Sequence, residues 1–584
     1  MYEEAAVTTA SDISDSFLMD NTSLEILDLS GSKKATGTNL AASISKASHL
    51  QVLILDGCDN LGQVVISNNS SLRSFSHDGY GPAASHRTST FELPPEMSRP
   101  KLKPVEPSTK FSRPERWEGI ANTSIVSLEG CIKLDNLFLR GLDYLVELNL
   151  SGCVIKVLDF GSMVVDVPRL KRLFLIGCER LCAIKWGSGG KQPELRLICI
   201  DTRPGSGRIL ARARPHSICA QEESFKLQVH AVVADAKLIR SLWAPIKDVS
   251  YSGAFYFNIN ISGVVEPEAR RSKEMMIGTS DQGHCVVAVA ANVLYADVFA
   301  NLGDGLAPMR AFPQGPRGQS DRHIEIGDGS RSVQSEAEAH PYGQNLAYLM
   351  VFYTESLHVH DVSTYSNTMI SQHWMRLRTC RVERCPKLQS IFPPGTVDND
   401  GTLETIWASD LLMARFIRRM SIDGSYEHLF ERLRHLHLRR CPSLQFALEV
   451  GAHSSFPSLE TLHIIHCGDL RHATTIDMHE QPSSLQQISK APEMMAPALE
   501  TIKIRGCPNL RRLPALKGCE PGTRKPTVEV EKDVWDALEW DGVDAGHHPS
   551  LYEAPVHSRY YKRRLLRRTV LRYGHYIWIR NSIL

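Results

Sequence analysis

Leu433, Leu436, Leu438, Cys441 and Leu444, then Leu459, Leu462, Ile464, Cys467 and Leu470, then Leu499, Ile502, Ile504, Cys507 and Leu510: between Leu433 and Leu513 one template is printed three times. It reads L-x-x-L-x-L-x-x-C-x-x-L. Around the L-x-L centre the apolar residues recur with period two, which builds a short strand with one buried face. The cysteine three residues on stands where the chain bends away, and a small, weakly polar thiol enters a buried row at little cost. One such turn cannot enclose a core alone, whereas stacked turns bury their leucines as ladders.

Two more complete copies stand upstream, Leu50, Leu53, Leu55, Cys58, Leu61 and Leu170, Leu173, Leu175, Cys178, Leu181. Random placement of Leu, Ile, Val and Cys at these frequencies gives about 0.03 copies, so the repetition is real. The template is the leucine-rich-repeat signature with Cys in its Asn/Cys position. The fold class expected is an α/β leucine-rich-repeat solenoid: a curved horseshoe with parallel β-strands on the concave face and irregular loops and short helices on the convex face.

Partial copies fill the intervals at spacings of about 22 to 26 residues. Strands are expected at Leu24-Leu27-Leu29, Leu72-Phe75, Val126-Leu128-Cys131, Leu145-Leu148-Leu150-Cys153 and Leu195-Ile198-Ile200. Leu134, Leu137 and Leu139 mimic the pattern but lie 11 residues before Leu145. That is too short for a closed turn, which assigns them to the convex side. Residues 1–20 are read as an N-terminal extension, and 21–200 as repeats with a flexible Pro/Ser-rich insertion at about 76–118. In 201–371 the template fades into irregular repeats or an island segment, with alternations at Leu227-Val229, Phe255-Phe257-Ile259, Val293-Tyr295, Ile324-Ile326 and Leu357-Val359. Regular repeats resume over 372–520, from Leu377, Cys380, Val382, Cys385 and Leu388. Residues 521–555 form a C-terminal cap with an amphipathic helix from Glu531 to Trp540, and 556–584 a basic tail.

The 584 residues carry Lys+Arg 66 against Asp+Glu 65, a net charge of +1, which exerts no global pull on nucleic acid or membrane. Any electrostatic function must come from local clustering. Of 14 cysteines, Cys58, Cys178, Cys441, Cys467 and Cys507 occupy the inward template position, a packing role suited to a reducing compartment. Met1-Tyr2-Glu3-Glu4 lacks a basic and apolar leader, and no apolar run reaches 18 residues. The reading is cytoplasmic, with the nucleus open through the basic tail, and without a membrane span.

Several segments resemble a known family. They are Leu145-x-x-Leu148-x-Leu150-x-Gly152-Cys153, Asp321-Arg322-His323-Ile324-Glu325-Ile326-Gly327, Leu357-His358-Val359-His360-Asp361-Val362 and Cys380-Arg381-Val382-Glu383-Arg384-Cys385-Pro386. Trp407-Ala408-Ser409-Asp410-Leu411-Leu412, Glu531-Lys532-Asp533-Val534-Trp535 and Leu538-Glu539-Trp540-Asp541-Gly542 complete the set. Together they resemble the C-terminal repeat region of cereal nucleotide-binding leucine-rich-repeat disease-resistance proteins, from about Leu24 to Leu571. Members of that family look like switches in which repeats sense pathogen proteins and restrain an ATPase module. This chain departs from them in lacking the phosphate loop G-x-x-x-x-G-K-[ST]; Gly187-Ser188-Gly189-Gly190-Lys191-Gln192 has the wrong spacing and ends in Gln. The resemblance therefore implies the sensor half alone, as a fragment, a truncated paralogue or a partner of another receptor, with no cofactor.

Catalytic motifs are missing from the sequence: neither G-x-S-x-G nor H-E-x-x-H occurs, and the expectation is a non-enzyme. His463, His466 and Cys467 look like zinc ligands until the strand alternation sends Cys467 inward and His463 outward. Asp398-Asn399-Asp400-Gly401 lacks the first carboxylate and the bidentate Glu of a calcium loop. The positive signal is a basic stripe on the expected concave face: Arg378, Arg381, Arg384, Arg434, His435, His437, Arg439, Arg440, His463, His466, Lys503 and Arg505, against Glu383, Glu460 and Glu500. Strands stacked about 4.8 Å apart bring like charges within one Debye length. Such a stripe fits an acidic protein partner, and by resemblance a pathogen effector or the nucleotide-binding module of a receptor. Base-stacking aromatics are too few on those strands for nucleic acid. Two other readings remain open: an adaptor presenting substrates to another machine such as a ubiquitin ligase, and an enzyme with an active site in the island.

Overall fold

A computed structural model describes residues 8–9, 24–80 apart from several between 34 and 46, 121–187, 193–202, 225–233, 237–250, 255–261, 322–327, 352–362, 373–392, 397–398, 402–418, 430–444, 446–450, 456–476, 496–516 and 524–557. They fall into two compact units. The first holds the described residues up to 265 together with 322–327, and the second those from 352 onward.

In the first unit the chain coils between two parallel ladders. One joins Ile26–Asp28, Val52–Ile54, Ser74–Asp78, Asn136–Arg140 and Val164–Val165. The other joins Gln63–Val65, Ile125–Ser127, Glu147–Asn149, Arg172–Ile176, Leu197–Asp201, Leu227–Val233, Phe255–Ile261 and Arg322–Ile326. Eleven residues, from Val52 to Gln63, carry the chain across to the opposite ladder, and the next eleven, to Ser74, bring it back. Leu134, Leu137 and Leu139 lie, as their short spacing requires, across the coil from Leu148, but on a full strand of the ladder that also holds Leu27, Leu53 and Phe75. Leu137 pairs with Phe75 and Leu139 with Val164, so a spacing too short for a whole turn is half of one.

The strand Ser74–Asp78 runs past Ser76, where the insertion was expected to begin, and is buried throughout. Residues 81–120, Val293-Tyr295 and the tail beyond 557 lie outside the described residues. The helix Lys237–Ser250, which the sequence did not announce, packs on the strand Ala183–Lys185, itself paired with Val157–Asp159.

The second unit holds one long parallel ladder: Ser356–His360, Thr379–Glu383, Thr405–Ser409, His435–Arg439, Thr461–Ile465, Thr501–Arg505 and Thr527–Glu529. Its register aligns the template. Leu357, Cys380, Ile406, Leu436, Leu462, Ile502 and Val528 make one inward column, and Val359, Val382, Ala408, Leu438, Ile464 and Ile504 the next, all buried. Full burial of each Leu, Ile or Val contributes about 1.5–3 kcal/mol, so these columns hold the coil together. Short parallel pairs line the other side, Ser390–Phe392 with Phe416–Arg418 and Phe446–Val450 with His472–Ile476.

Every template cysteine is buried, and several of the thiols reach carbonyls of the preceding turn: Cys58 to Leu29 at 3.1 Å, Cys153 to Leu128 at 3.4 Å, Cys178 to Leu150 at 3.2 Å, Cys507 to Ile464 at 3.6 Å. Burial pushes the thiols of Cys58, Cys131, Cys178 and Cys380 up to about 12, which keeps them protonated and unreactive. The residue before each bend adopts positive φ. In the first unit it is mostly glycine, as at Gly57, Gly130, Gly152 and Gly177, with Asn68 and Asp166 as exceptions; in the second it is Asp361, Arg384, Asp410, Arg440, His466 and only then Gly506. Left-handed backbone costs a non-glycine residue about 1–2 kcal/mol, so the side chains at these corners must offset it elsewhere.

The capping helix is shorter than expected. It covers Lys532–Asp536, and the chain turns at Ala537 so that Trp540 can pack on Trp535 at 5.2 Å and on Tyr552 at 5.7 Å. Among the described residues no helix is long and apolar enough to cross a membrane.

Candidate functional site

The outward face of the second unit's ladder carries three columns of side chains, bordered on each edge by one more. Along the first border Glu355, Arg378, Glu404, Arg434 and Glu460 alternate in sign, with Arg378 on Glu404 at 2.8 Å and Arg434 on Glu460 at 2.7 Å. Along the second, at the positive-φ corners, Asp361, Arg384, Asp410 and Arg440 alternate likewise, with Arg384 on Asp361 at 2.6 Å and Arg440 on Asp410. Over these turns the border charge therefore reverses from one turn to the next, until Glu500 follows Glu460 with the same sign. Opposite charges across neighbouring strands fix their register as well as adding a little stability.

Between the borders, the first outward column is nearly all hydroxyl: Ser356, Thr379, Thr405, His435, Thr461, Thr501 and Thr527. The middle column is His358, Arg381, Trp407, His437, His463, Lys503 and Glu529, and the third His360, Glu383, Ser409, Arg439, Ile465 and Arg505. Each end of this field is closed by an ionic knot. At one end the buried carboxylate of Glu383 meets Arg381 at 2.8 Å, Arg384 at 3.4 Å and His358 at 3.5 Å. At the other, Glu529 takes Arg505 and, at 3.3 Å, Lys503.

The expected basic stripe is thereby corrected. Arg378, Arg381, Arg384, Arg434, Arg440, Lys503 and Arg505 all sit on the outward face or its borders, but each is ion-paired. His466 occupies a positive-φ corner beside Cys467, whose thiol is in the core. The acids that neutralise the stripe, Asp361, Glu404, Asp410 and Glu529, stand 23 to 30 residues from their arginines in turns that match the template poorly.

What remains is a window on the strands Thr405–Ser409, His435–Arg439 and Thr461–Ile465. The Trp407 indole stacks on the His437 ring at 4.9 Å, His463 meets His437 edge-on at 4.6 Å, and the Arg381 guanidinium lies 5.8 Å over Trp407. His437 is only 7% exposed. Burial, with the neighbouring imidazoles of His463 and His435, pushes His437 down to about 3, and burial with nearby Lys503 takes His463 to about 4. Burial also lowers His435. His437 and His463 are therefore neutral at pH 7, and the window is a slab of π surface rather than a cationic one.

Arg439 is the exception. Among the described residues it makes no ion pair, and its Nε is buried with no hydrogen-bond partner. Asp410 and Glu383, whose fields reach it, are already engaged by Arg440 and by Arg381 and Arg384. Trp407, the largest element of the window, was missed because it lies in the weakly matching Leu403-Ile406 turn; its place two residues after Thr405 was the available signal.

No protein-family model matches this sequence, and no match is found among curated proteins.

Proposed function

We propose that the chain is a non-catalytic leucine-rich-repeat recognition module of plant innate immunity, resembling the sensor part of disease-resistance receptors. In this reading it works in the cytoplasm, binds a pathogen effector or restrains a receptor's nucleotide-binding module, and uses no cofactor. The observation that carries it is the window: a π surface held on in-register strands between two ionic knots. Aromatic and arginine side chains on a rigid frame are where interface energy concentrates. The same face would also serve an adaptor that presents substrates to a ubiquitin ligase.

Site-specific photo-cross-linking in leaf cells tests this. A benzophenone amino acid at His435 should capture an effector or a nucleotide-binding module, and one at the exposed Met413, off the ladder face, should not. Capture of a ubiquitin-ligase subunit from position 435 would replace the receptor reading with the adaptor one. Equal capture from both positions would remove the window from the argument.

A further inference from the structure

The strand His435–Arg439 carries two buried polar atoms that nothing in the described residues satisfies: His437 Nε2 and Arg439 Nε. Both side chains face outward from the same strand, two residues apart, and so stand about 7 Å from one another along it. An unpaired guanidinium held half-buried is expensive, and it contrasts with the arginines around it, each of which has its carboxylate. A buried, unsatisfied donor costs about 1–3 kcal/mol, which a ligand supplying the acceptor would recover.

Building on the recognition reading above, we propose that this window receives an extended acidic segment of a protein partner. Its Asp or Glu carboxylate pairs with Arg439, and an aromatic side chain two residues away lies across Trp407, His437 and His463. The chemistry is specific on both counts. A guanidinium beside a closed field of ion pairs selects a carboxylate by charge and fork geometry. With their faces packed on one another, the neutral imidazole and indole rings offer outward edges and apolar contact but no charge, which suits a ring and not a second acid. The i, i+2 spacing of an extended chain matches the separation of Arg439 from the stack.

The test uses the full chain and a blocked probe peptide, glycine-phenylalanine-glycine-glutamate-glycine, titrated by saturation-transfer NMR. Saturation should reach the phenylalanine ring and the glutamate methylenes, and the glutamine analogue should bind at least tenfold more weakly. Arg439→Gln should abolish the difference between the two peptides while the thermal unfolding curve stays cooperative. Arg439→Lys, which keeps the charge but loses the fork, should restore part of it. Equal binding of both peptides, or unchanged preference in Arg439→Gln, overturns the proposal. So does binding of inorganic phosphate at Arg439 with no binding of the peptide, which would make this an anion site only. If cross-linking from position 435 still captures an immune partner in those cases, the recognition reading stands and only the acidic segment falls.

Discussion

The Oε1 atom of Glu531 accepts the backbone N–H of Gly506 at 2.7 Å. In each earlier turn of the second unit the corresponding amide, from Asp361 to His466, donates to a main-chain carbonyl of the next strand, as Arg440 does to Ile465 at 2.8 Å and His466 to Arg505 at 2.7 Å. At Gly506 that carbonyl is replaced, and a side chain takes over its role. Glu531 thus finishes the ladder where an open strand edge would otherwise leave an unmet donor. Glu531→Ala should cost about 1–3 kcal/mol in urea unfolding, and Glu531→Gln, which keeps an acceptor, much less. A loss equal in both variants would show that the charge, not the acceptor, matters.

The same residue gives a pH dependence of definite sign. Burial raises the Glu531 carboxyl above its ordinary 4.5, and its Oε2 has no hydrogen-bond partner. The folded state therefore binds a proton that the unfolded state releases first. Stability relative to Glu531→Gln should be highest below pH 4.5 and decline as pH rises through the raised value. Urea titrations of both proteins across that range would check it, and a difference that grows with pH would refute the assignment.

In the first unit His77 makes the opposite case. It occupies an inward position equivalent to Leu139, fully buried, with Nδ1 at 3.1 Å from the Leu55 carbonyl and Nε2 at 2.9 Å from the Thr123 hydroxyl. Burial drives it down to about 4 from 6.5. The neutral ring contributes stability that is complete above pH 6.5 and is lost progressively as pH falls through 6.5 toward 4. A shift of that size corresponds to about 3 kcal/mol. His77→Leu should flatten the acid limb of the unfolding curve of this unit, read by hydrogen exchange of the Ser74–Asp78 amides.

The strands carrying the leucines were legible because burial repeats at one position per turn, and a periodic demand leaves a periodic trace. The ion pairs were not. Arg440 and Asp410 are 30 residues apart, and Arg378 and Arg505 look unopposed in the clearest turns because their partners Glu404 and Glu529 belong to neighbouring turns that match the template poorly. Glu460, in a clear turn, reads in the sequence as a minority charge, and only the register shows it to be Arg434's partner. The second ladder of the first unit was hidden for a different reason. An L-x-x-L-x-L phrase at Leu134 has the same pattern on either side of a coil, and only closure decides which side it takes.

Trp186 and Pro245 show how a local defect is absorbed. Proline has no N–H, so the helix Lys237–Ser250 leaves the Ser241 carbonyl, four residues earlier, without its helical donor. The Trp186 indole N–H donates to that oxygen, while the Ser241 hydroxyl accepts from the Ile184 amide at 3.0 Å. Trp186→Phe should destabilise the helix, and Pro245→Ala, by restoring the missing donor, should make the same substitution far less damaging. Additive effects in this double-mutant cycle, followed by hydrogen exchange of the helix, would dissociate the two residues.

Arg384 sets a backbone cost against an ion pair. Its φ of 50° lies in the region glycine fills at most of the equivalent corners of the first unit. Against a cost of about 1–2 kcal/mol stands its bond to Asp361, between side chains that are 43% and 40% exposed, a pair worth about 0–1 kcal/mol in water and less in salt. Glycine at this corner would relieve the backbone but add unfolded-state entropy of about 0.5–1 kcal/mol. The terms nearly cancel at low ionic strength, so Arg384→Gly should leave the unfolding midpoint almost unchanged in dilute buffer. In 1 M salt, where the Debye length falls to about 3 Å and the pair is screened, the glycine variant should become the more stable protein. A variant that is equally destabilised at both ionic strengths would mean that Arg384 works through its contact with buried Glu383, which salt does not reach, and the borders would then be structural parts of the core rather than its solvated edge.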